Sequence, residues 1–351
     1  MILIDKGGDL EGSFRELGPT YVIRPLSHRL YQKIWSRISY GSYLNCRLQH
    51  LMEIPVGLIY LNTFSNGRLA DQLKKKFKCR LITHTHELES VIQTAGRKNI
   101  QLLHRITDHY IAASAAVKKN LIINHRIPEN KITVHFEAIE PVSAGSDKPV
   151  NFPIDLKDSD FVVGGAGFVD YRKGFDLFLE TARILVQEEN CTHARFIWIG
   201  GFGRNKQKIV DGFIERHGLQ NHVKFPGEMA DPFPVYRRFN LFFLSSREDP
   251  YPLVMLENAY LGIPVIGFKG SGGADEFLDH DEELLADSFK AREAARKIMV
   301  FMKNKSLVTA AGRRLREKVR EKHMIDRCGR LYYNRIIQLA GEDPGMQPDE
   351  V

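Results

Sequence analysis

Twice along this chain, short apolar runs alternate with stretches of helical spacing, and that alternation narrows the fold more than any other feature of the 351 residues. In the first half, runs of strand length and character fall at 1–4, 20–23, 56–61, 79–83, 109–113 and 131–136, with helical patterns between them that include 67–77 and 115–124. In the second half they fall at 161–165, 195–200, 222–225, 239–244 and 264–268, with helices expected at 174–190, 204–218 and 253–261. Strands separated by helices predict a parallel, doubly wound α/β sheet for each series. Residues 148–153, which hold two prolines, read as a linker. Long charged helical patterns follow at 289–304 and 306–339, and the polar tail at 341–351 has the composition of a disordered segment. The expected organisation is a first domain over 1–150, a second over 151–325, a closing helix over 326–340 and the tail. A length of about twice a typical domain agrees with it.

Within the second series, two carboxylates, Asp249 and Glu257, stand seven residues apart across a loop that enters a helix. Pro252 suits the first helical position, and Gly262 and Pro264 stop the helix. Side chains on a helix lean toward its N-terminus, so Glu257 points back at the mouth where Asp249 sits. That mouth presents open N–H groups and a positive dipole end, which suit a phosphate, while the acids suit hydroxyl groups. A nucleotide sugar has both parts. The plainer alternative is a capped core helix with one surface acid and one buried, paired acid. The embedding favours the first reading, because the loop lies at the C-terminal end of a strand, where open α/β sheets bind ligands.

Three further segments fit the same picture. Gly164-Gly165-Ala166-Gly167 leads through Phe168, Val169, Asp170 and Tyr171 into Arg172-Lys173-Gly174, so two cations follow a glycine-rich turn within reach of a diphosphate. The alternative there is a solvated charged turn. Phe196-Ile197-Trp198-Ile199-Gly200-Gly201 is a strand running into a glycine turn, and Val223-Lys224-Phe225-Pro226-Gly227 ends on a glycine that lets backbone approach a flat base. An ordinary turn glycine is the competing reading of Gly227. In the first half, His84-Thr85-His86-Glu87 ends a strand. The two histidines share one face, but no third distant ligand is evident, so a metal site is rejected. Structural histidines remain the alternative.

In this order, over about 160–280, these pieces resemble the donor-binding half of retaining GT-B glycosyltransferases, glycosyltransferase family 4. The resemblance implies two Rossmann-like domains facing each other across a cleft, with a C-terminal helix crossing back to the first. It gives Glu257 the ribose hydroxyls and Asp249 the transferred sugar. The family usually has Glu at the latter position and Glu248 is adjacent, so either register is open. Arg172 and Lys173 take the donor diphosphate, Arg172 standing in for the arginine the family places near Phe168. Gly167 and Gly227 line the donor. Because Pro250 and Pro252 carry no N–H, the main-chain contacts fall to Tyr251, Leu253 and Val254. His86 faces the donor sugar, with His84 as second choice. The implied activity is that of a hexosyltransferase moving a hexose from a nucleoside-diphosphate sugar, UDP favoured, to an acceptor hydroxyl in polysaccharide, exopolysaccharide or glycolipid synthesis. No cofactor or metal is required. One departure qualifies the resemblance: residues 1–23 match the family's second strand onward, so its first βα unit is expected to be missing. That departure keeps a non-catalytic sugar-nucleotide-binding subunit, partnering a complete transferase, open beside the enzyme. A sugar-nucleotide epimerase is weaker, and a dehydrogenase is disfavoured because the first βα turn has no GxGxxG.

Net charge is +7 and unevenly spread: residues 1–150 hold 21 Lys/Arg against 13 Asp/Glu, the remainder 29 against 30. The basic half predicts an anionic partner there, a phospholipid surface or a phosphate-linked glycan or lipid acceptor. Nucleic acid is excluded for want of any zinc-finger, RNP-like or basic-zipper pattern. Leu30, Ile34 and Ile38 recur at helical spacing beside Arg29, Lys33 and Arg37, and lysines at 74–76 and 78 add to the field. A helix with one core face is the preferred reading, and a basic amphipathic helix lying on a membrane the alternative. Four scattered cysteines without a CxxC indicate reduced thiols. With no signal-like start and no long apolar run, the expected location is cytoplasmic, extending to the inner face of the membrane.

Overall fold

The computed structural model describes residues 1–25, 30–51, 54–141, 155–287 and 289–341. The linker expected at 148–153, and all but the first residue of the expected tail, lie outside them. Strands β1 (Ile2–Lys6), β2 (Thr20–Arg24), β3 (Leu58–Leu61), β4 (Arg80–Thr85), β5 (His109–Ala112) and β6 (Ile132–Val134) form in the first half. The second half holds β7 (Phe161–Ala166), β8 (Ala194–Ile199), β9 (Val223–Gly227), β10 (Leu241–Phe243), β11 (Val265–Phe268) and β12 (Leu285–Ala286). Among the described residues, the helices that accompany the first set are α1 (Glu11–Leu17), α2 (Leu30–Ile38), α3 (Tyr40–Leu48), α4 (Gly67–Phe77), α5 (Glu89–Thr94), α6 (Arg97–Ile106) and α7 (Ala115–Ile123). After them come α8 (Phe175–Arg183), α9 (Lys206–Arg216), α10 (Phe233–Tyr236), α11 (Leu253–Tyr260), α12 (Gly273–Phe277), α13 (Ala291–Lys303), α14 (Lys305–Lys322) and α15 (Ile325–Ala340). Contacts divide the chain into a first unit, 1–111, 127–133 and 337–351, and a second, 112–126 and 134–336.

In the first unit the strands do not form the one doubly wound sheet expected. β1 and β2 pair in parallel, Ile2 opposite Thr20, as a separate two-stranded sheet, and a four-stranded sheet runs β3-β4-β5-β6. Side chains account for the separation. Tyr43 of α3 donates to the Ile23 carbonyl at 2.5 Å, and Arg47 donates to the Val22 carbonyl at 2.8 Å. Side-chain donors of α3 thereby hold the main chain of β2 on both of its edges, so the strand's end is tied to a helix and not to another strand. The expected core face of residues 24–52 is also corrected. Ile34 is 47% exposed and Ile38 81%, while Trp35 packs edge-on against buried Tyr43 at 5.5 Å. The helix is anchored by its aromatic face, and the two isoleucines face outward.

The second unit contains one six-stranded parallel sheet, ordered β9-β8-β7-β10-β11-β12. Counted from β7, the order is 3-2-1-4-5-6, that of dinucleotide-binding sheets, and it reverses direction between β7 and β10. Phe178 of α8 packs edge-on against Phe196 and Trp198 of β8 at 5.4 and 5.2 Å, filling the core under that reversal. The helix expected over 174–190 ends in a π-helical turn, Ile184–Glu188, with the Glu189 N–H bonded back to Ile184. The single long helix expected over 306–339 is two. Ile139 takes the His323 carbonyl at 2.9 Å and gives its own carbonyl to the Ile325 N–H at 3.0 Å, so these backbone groups leave the helical ladder. All four cysteines are free thiols, and no helix among the described residues is long and apolar enough to cross a membrane.

Candidate active site

Where the strand order reverses, the loops leaving the parallel strands β7 and β10 lie side by side, and ligands of such sheets bind outside these carboxyl ends. Their closeness depends on Gly174. Its φ is +74°, and a Cβ there would stand 1.9 Å from the Ser245 carbonyl oxygen, so no side chain fits. The approach brings Lys173 to Asp249, with Nζ 2.5 Å from Oδ2 and both side chains largely buried. Ser246 Oγ donates to the same carboxylate oxygen at 3.0 Å.

Other bonds lace the two loops. Ser245 Oγ donates to the Lys173 carbonyl at 3.0 Å, and Arg172 Nη1 to the Glu248 carbonyl at 3.0 Å. Arg247 grips Asp176 with both prongs of its guanidinium at 2.7 Å and donates to the Tyr171 carbonyl at 2.8 Å. Of the two neighbouring acids, Asp249 faces the Lys173 ammonium, while Glu248 offers Arg172 its main-chain carbonyl. Asp249 is also tied through its backbone: its N–H donates to the Ser271 carbonyl at 2.7 Å, and its carbonyl accepts from Gly273 N–H at 3.0 Å.

Helix α11 starts just beyond. Pro252 caps it without a side-chain bond, and the N–H groups of Leu253 and Val254 find no acceptor among the described residues. Tyr251 contributes only its main chain at this mouth. Its ring is buried and its hydroxyl lies 3.2 Å from His323 Nε2, and burial raises the phenol's pKa. Glu257, one turn into α11, is half-buried with no side-chain hydrogen bond or ion pair among the described residues. Desolvation pushes its carboxyl above the usual range, and its charge adds to burial in raising the Tyr236 phenol.

Gly227, at the end of β9, has φ +91° and open space where a side chain would stand, so bare backbone is presented there. Gly167 is held by its N–H on the Ile199 carbonyl and by the Trp198 indole N–H on its own carbonyl, each at 2.9 Å. The second unit therefore gathers Gly167, Arg172, Lys173 and Asp249 at one point, with Tyr251, Leu253, Val254 and Glu257 on the adjoining helix. Gly227 stands two strands away. His86 and His84 belong to the first unit. His84, buried on β4, meets the Tyr60 hydroxyl at 2.6 Å, and His86 Nε2 lies 2.8 Å from Asn62 Oδ1. Their rings are 3.7 Å apart, as two residues on one strand face require.

Sequence reasoning missed the ties made by Ser245, Ser246, Arg247–Asp176 and the loop at 270–273. A signal for the last was present, since Gly270-Ser271-Gly272-Gly273 follows the apolar run of β11. A Cβ on Gly273 would lie 2.2 Å from the Pro250 carbonyl oxygen.

The family model described as glycosyl transferases group 1 matches residues 148–322. The α-galactosylglucosyldiacylglycerol synthase of Streptococcus pneumoniae is 25% identical over 238 residues, which are 62% of this chain and 58% of that protein. The capsular polysaccharide biosynthesis glycosyltransferase CapM of Staphylococcus aureus is 23% identical over 236 residues, 60% of this chain and 57% of its own length. The chain thus spans less than two thirds of these curated relatives. Among solved structures, Anabaena HepE in complex with UDP and glucose superposes with a TM-score of 0.76 at 17% identity, covering 96% of this chain and 99% of that one. Sucrose-phosphate synthase from Thermosynechococcus elongatus gives 0.73 at 16% identity, covering 96% of each chain. The likeness shows the fold, which is GT-B. Through residues 148–322, half of its length, the chain belongs to the group 1 glycosyl transferases.

Proposed function

We propose that the chain transfers a hexose from a nucleoside-diphosphate sugar, UDP favoured, to an acceptor hydroxyl in polysaccharide or glycolipid synthesis, with retention of configuration and without a metal. The observation that carries the reading is Glu257, a half-buried carboxylate with no partner among the described residues, one helical turn from open N–H groups. Burying an unpaired carboxylate is costly unless a ligand supplies donors, and the paired hydroxyls of a ribose do so. The diphosphate then lies at the Leu253–Val254 end of α11, where Lys173 and Arg172 balance charge growing on the leaving group. Asp249, oriented by Lys173 and Ser246, accepts from the sugar's hydroxyls. No side chain is placed as a nucleophile; the acceptor enters on the face the diphosphate leaves. The UDP complex of HepE and the polysaccharide and glycolipid names of the relatives support this assignment.

The role that the resemblance gives His86 is carried by the resemblance alone, and His86→Ala tests it separately. The reading itself is tested by following UDP release from UDP-glucose and UDP-galactose with the full chain, with and without EDTA. Release that survives EDTA and is lost in Asp249→Asn is expected. Absence of turnover with every UDP-sugar, alongside tight UDP binding, would leave a binding subunit instead.

A further inference from the structure

Within the first unit lies a cavity of about 580 Å³, inside the range of about 300–1,000 Å³ typical of ligand pockets, and no residue of the donor site lines it. Asp5 and Arg24, at the carboxyl ends of β1 and β2, form one wall together with Tyr40; Arg68, Arg97 and Lys98 form the other. The single acid is already neutralised. Asp5 accepts from Arg24 and from the Tyr40 hydroxyl at 3.2 Å, and burial, followed by the Asp5 charge, pushes the phenol up so that it stays a donor. Arg68, Arg97 and Lys98 are exposed and have no acidic partner among the described residues. Four cations against one carboxylate leave the lining strongly positive, and this cavity collects part of the basic excess of residues 1–150. The starts of α4 and α6 add to it, because neither Asn66 nor Gly96 gives a side-chain cap to the helix it precedes.

Like charges gathered around one cavity without counter-charges raise the local positive potential and favour the binding of an anion there. Two arginines offer forked donors that match phosphate oxygens, and a lysine adds a point charge. We propose that this cavity binds the phosphate or diphosphate of a phosphorylated acceptor. The inference rests on the transferase reading above and names its acceptor class. The shared chemistry is a phosphate ester; its source is either a soluble sugar phosphate or the headgroup of a lipid-linked acceptor.

The test uses the full chain, saturated with UDP so that the donor site is filled, and titrated calorimetrically with inorganic pyrophosphate. One site is expected, weakened about tenfold or more in Arg68→Gln/Arg97→Gln, given the strength of charged hydrogen bonds. Both side chains are exposed, so the variant should fold, and unchanged UDP affinity checks that it has. No binding of pyrophosphate, or equal binding by wild type and variant, overturns the proposal. Two further arms separate the sources: competition by glucose 1-phosphate in solution, and co-sedimentation with phosphatidylcholine vesicles with and without farnesyl diphosphate. Arginine-dependent competition supports a soluble acceptor, and arginine-dependent capture by the doped vesicles a lipid-linked one. Failure of both overturns the acceptor assignment. Loss of UDP binding with pyrophosphate binding intact strikes the transferase reading, whereas the converse strikes only this one.

Discussion

Replacing Glu257 by glutamine should act in opposite directions on stability and on binding. The Glu257 carboxylate is half-buried without a partner among the described residues, and desolvation holds its pKa above the ordinary 4.5. A buried polar group left unsatisfied costs about 1–3 kcal/mol, and partial exposure places this one near the lower end. Glu257→Gln keeps the shape and removes the charge, so the ligand-free protein should gain about 1 kcal/mol, or about 2–4 °C in Tm for a domain of this size. The sign with pH follows from the raised folded pKa. The cost is present above that pKa and is relieved as pH falls through it toward the unfolded value, so the gap between variant and wild type should close on acidification. Binding moves the other way. Charged hydrogen bonds to two ribose hydroxyls are worth about 1.5–3 kcal/mol in total if only part is lost, so UDP should bind roughly tenfold to a hundredfold more weakly. Thermal denaturation between pH 4 and 8 and calorimetric titration with UDP read the two effects. A variant that melts lower than wild type at pH 7, or binds UDP with equal affinity, would refute the reasoning.

Further substitutions probe the loops of this site and the packing beside it. Gly174→Ala forces a Cβ against the Ser245 carbonyl at 1.9 Å and strains a φ of +74°; a loss of about 3 kcal/mol in urea unfolding is expected, with UDP release from the donor reduced. Lys173→Met leaves Asp249 buried without its counter-ion and should cost about 3 kcal/mol, while adding Asp249→Asn should recover at least about 1 kcal/mol in a double-mutant cycle. His323 is buried against Tyr251, and its pKa is lowered chiefly by desolvation. Stability should therefore fall as pH drops below the ordinary value of 6.5 toward the folded pKa, and a His323→Gln variant should show a shallower fall between pH 7 and 5.

Much of the second unit was legible because its central strands, β7, β8, β10 and β11, are buried on both faces and read as apolar runs. β7, β8, β9 and β11 lie within one or two residues of their expected limits. Glu257, Lys173 and Asp249 can be singled out as candidates from sequence because each follows a strand end or opens a helix. Sequence favours Asp249 but leaves Glu248 beside it as a second register. Adjacent residues of an extended segment point to opposite sides, and in the structure it is Asp249 that pairs with Lys173. The separation of β1 and β2 escaped for a related reason: Tyr43 and Arg47 tie down the main chain of β2 across about twenty residues, and nothing local in either segment announces those bonds. The break between α14 and α15 likewise depends on Ile139, far away in the chain.

The double main-chain tie at Asp249 bears on how such a site can change over evolutionary time. Ser271 and Gly273 hold residue 249 through its amide and carbonyl, atoms that every non-proline amino acid possesses. Replacing the acid would leave these two main-chain bonds in place but strand the Lys173 ammonium, which is buried against it. A change of side chain at 249 is therefore expected to be tolerated only together with a change at 173, so that the two positions alter as a pair on a loop whose backbone path is kept. Gly273, whose neighbours leave no room for a side chain, has no such latitude, and selection should act there on shape and at 249 on chemistry.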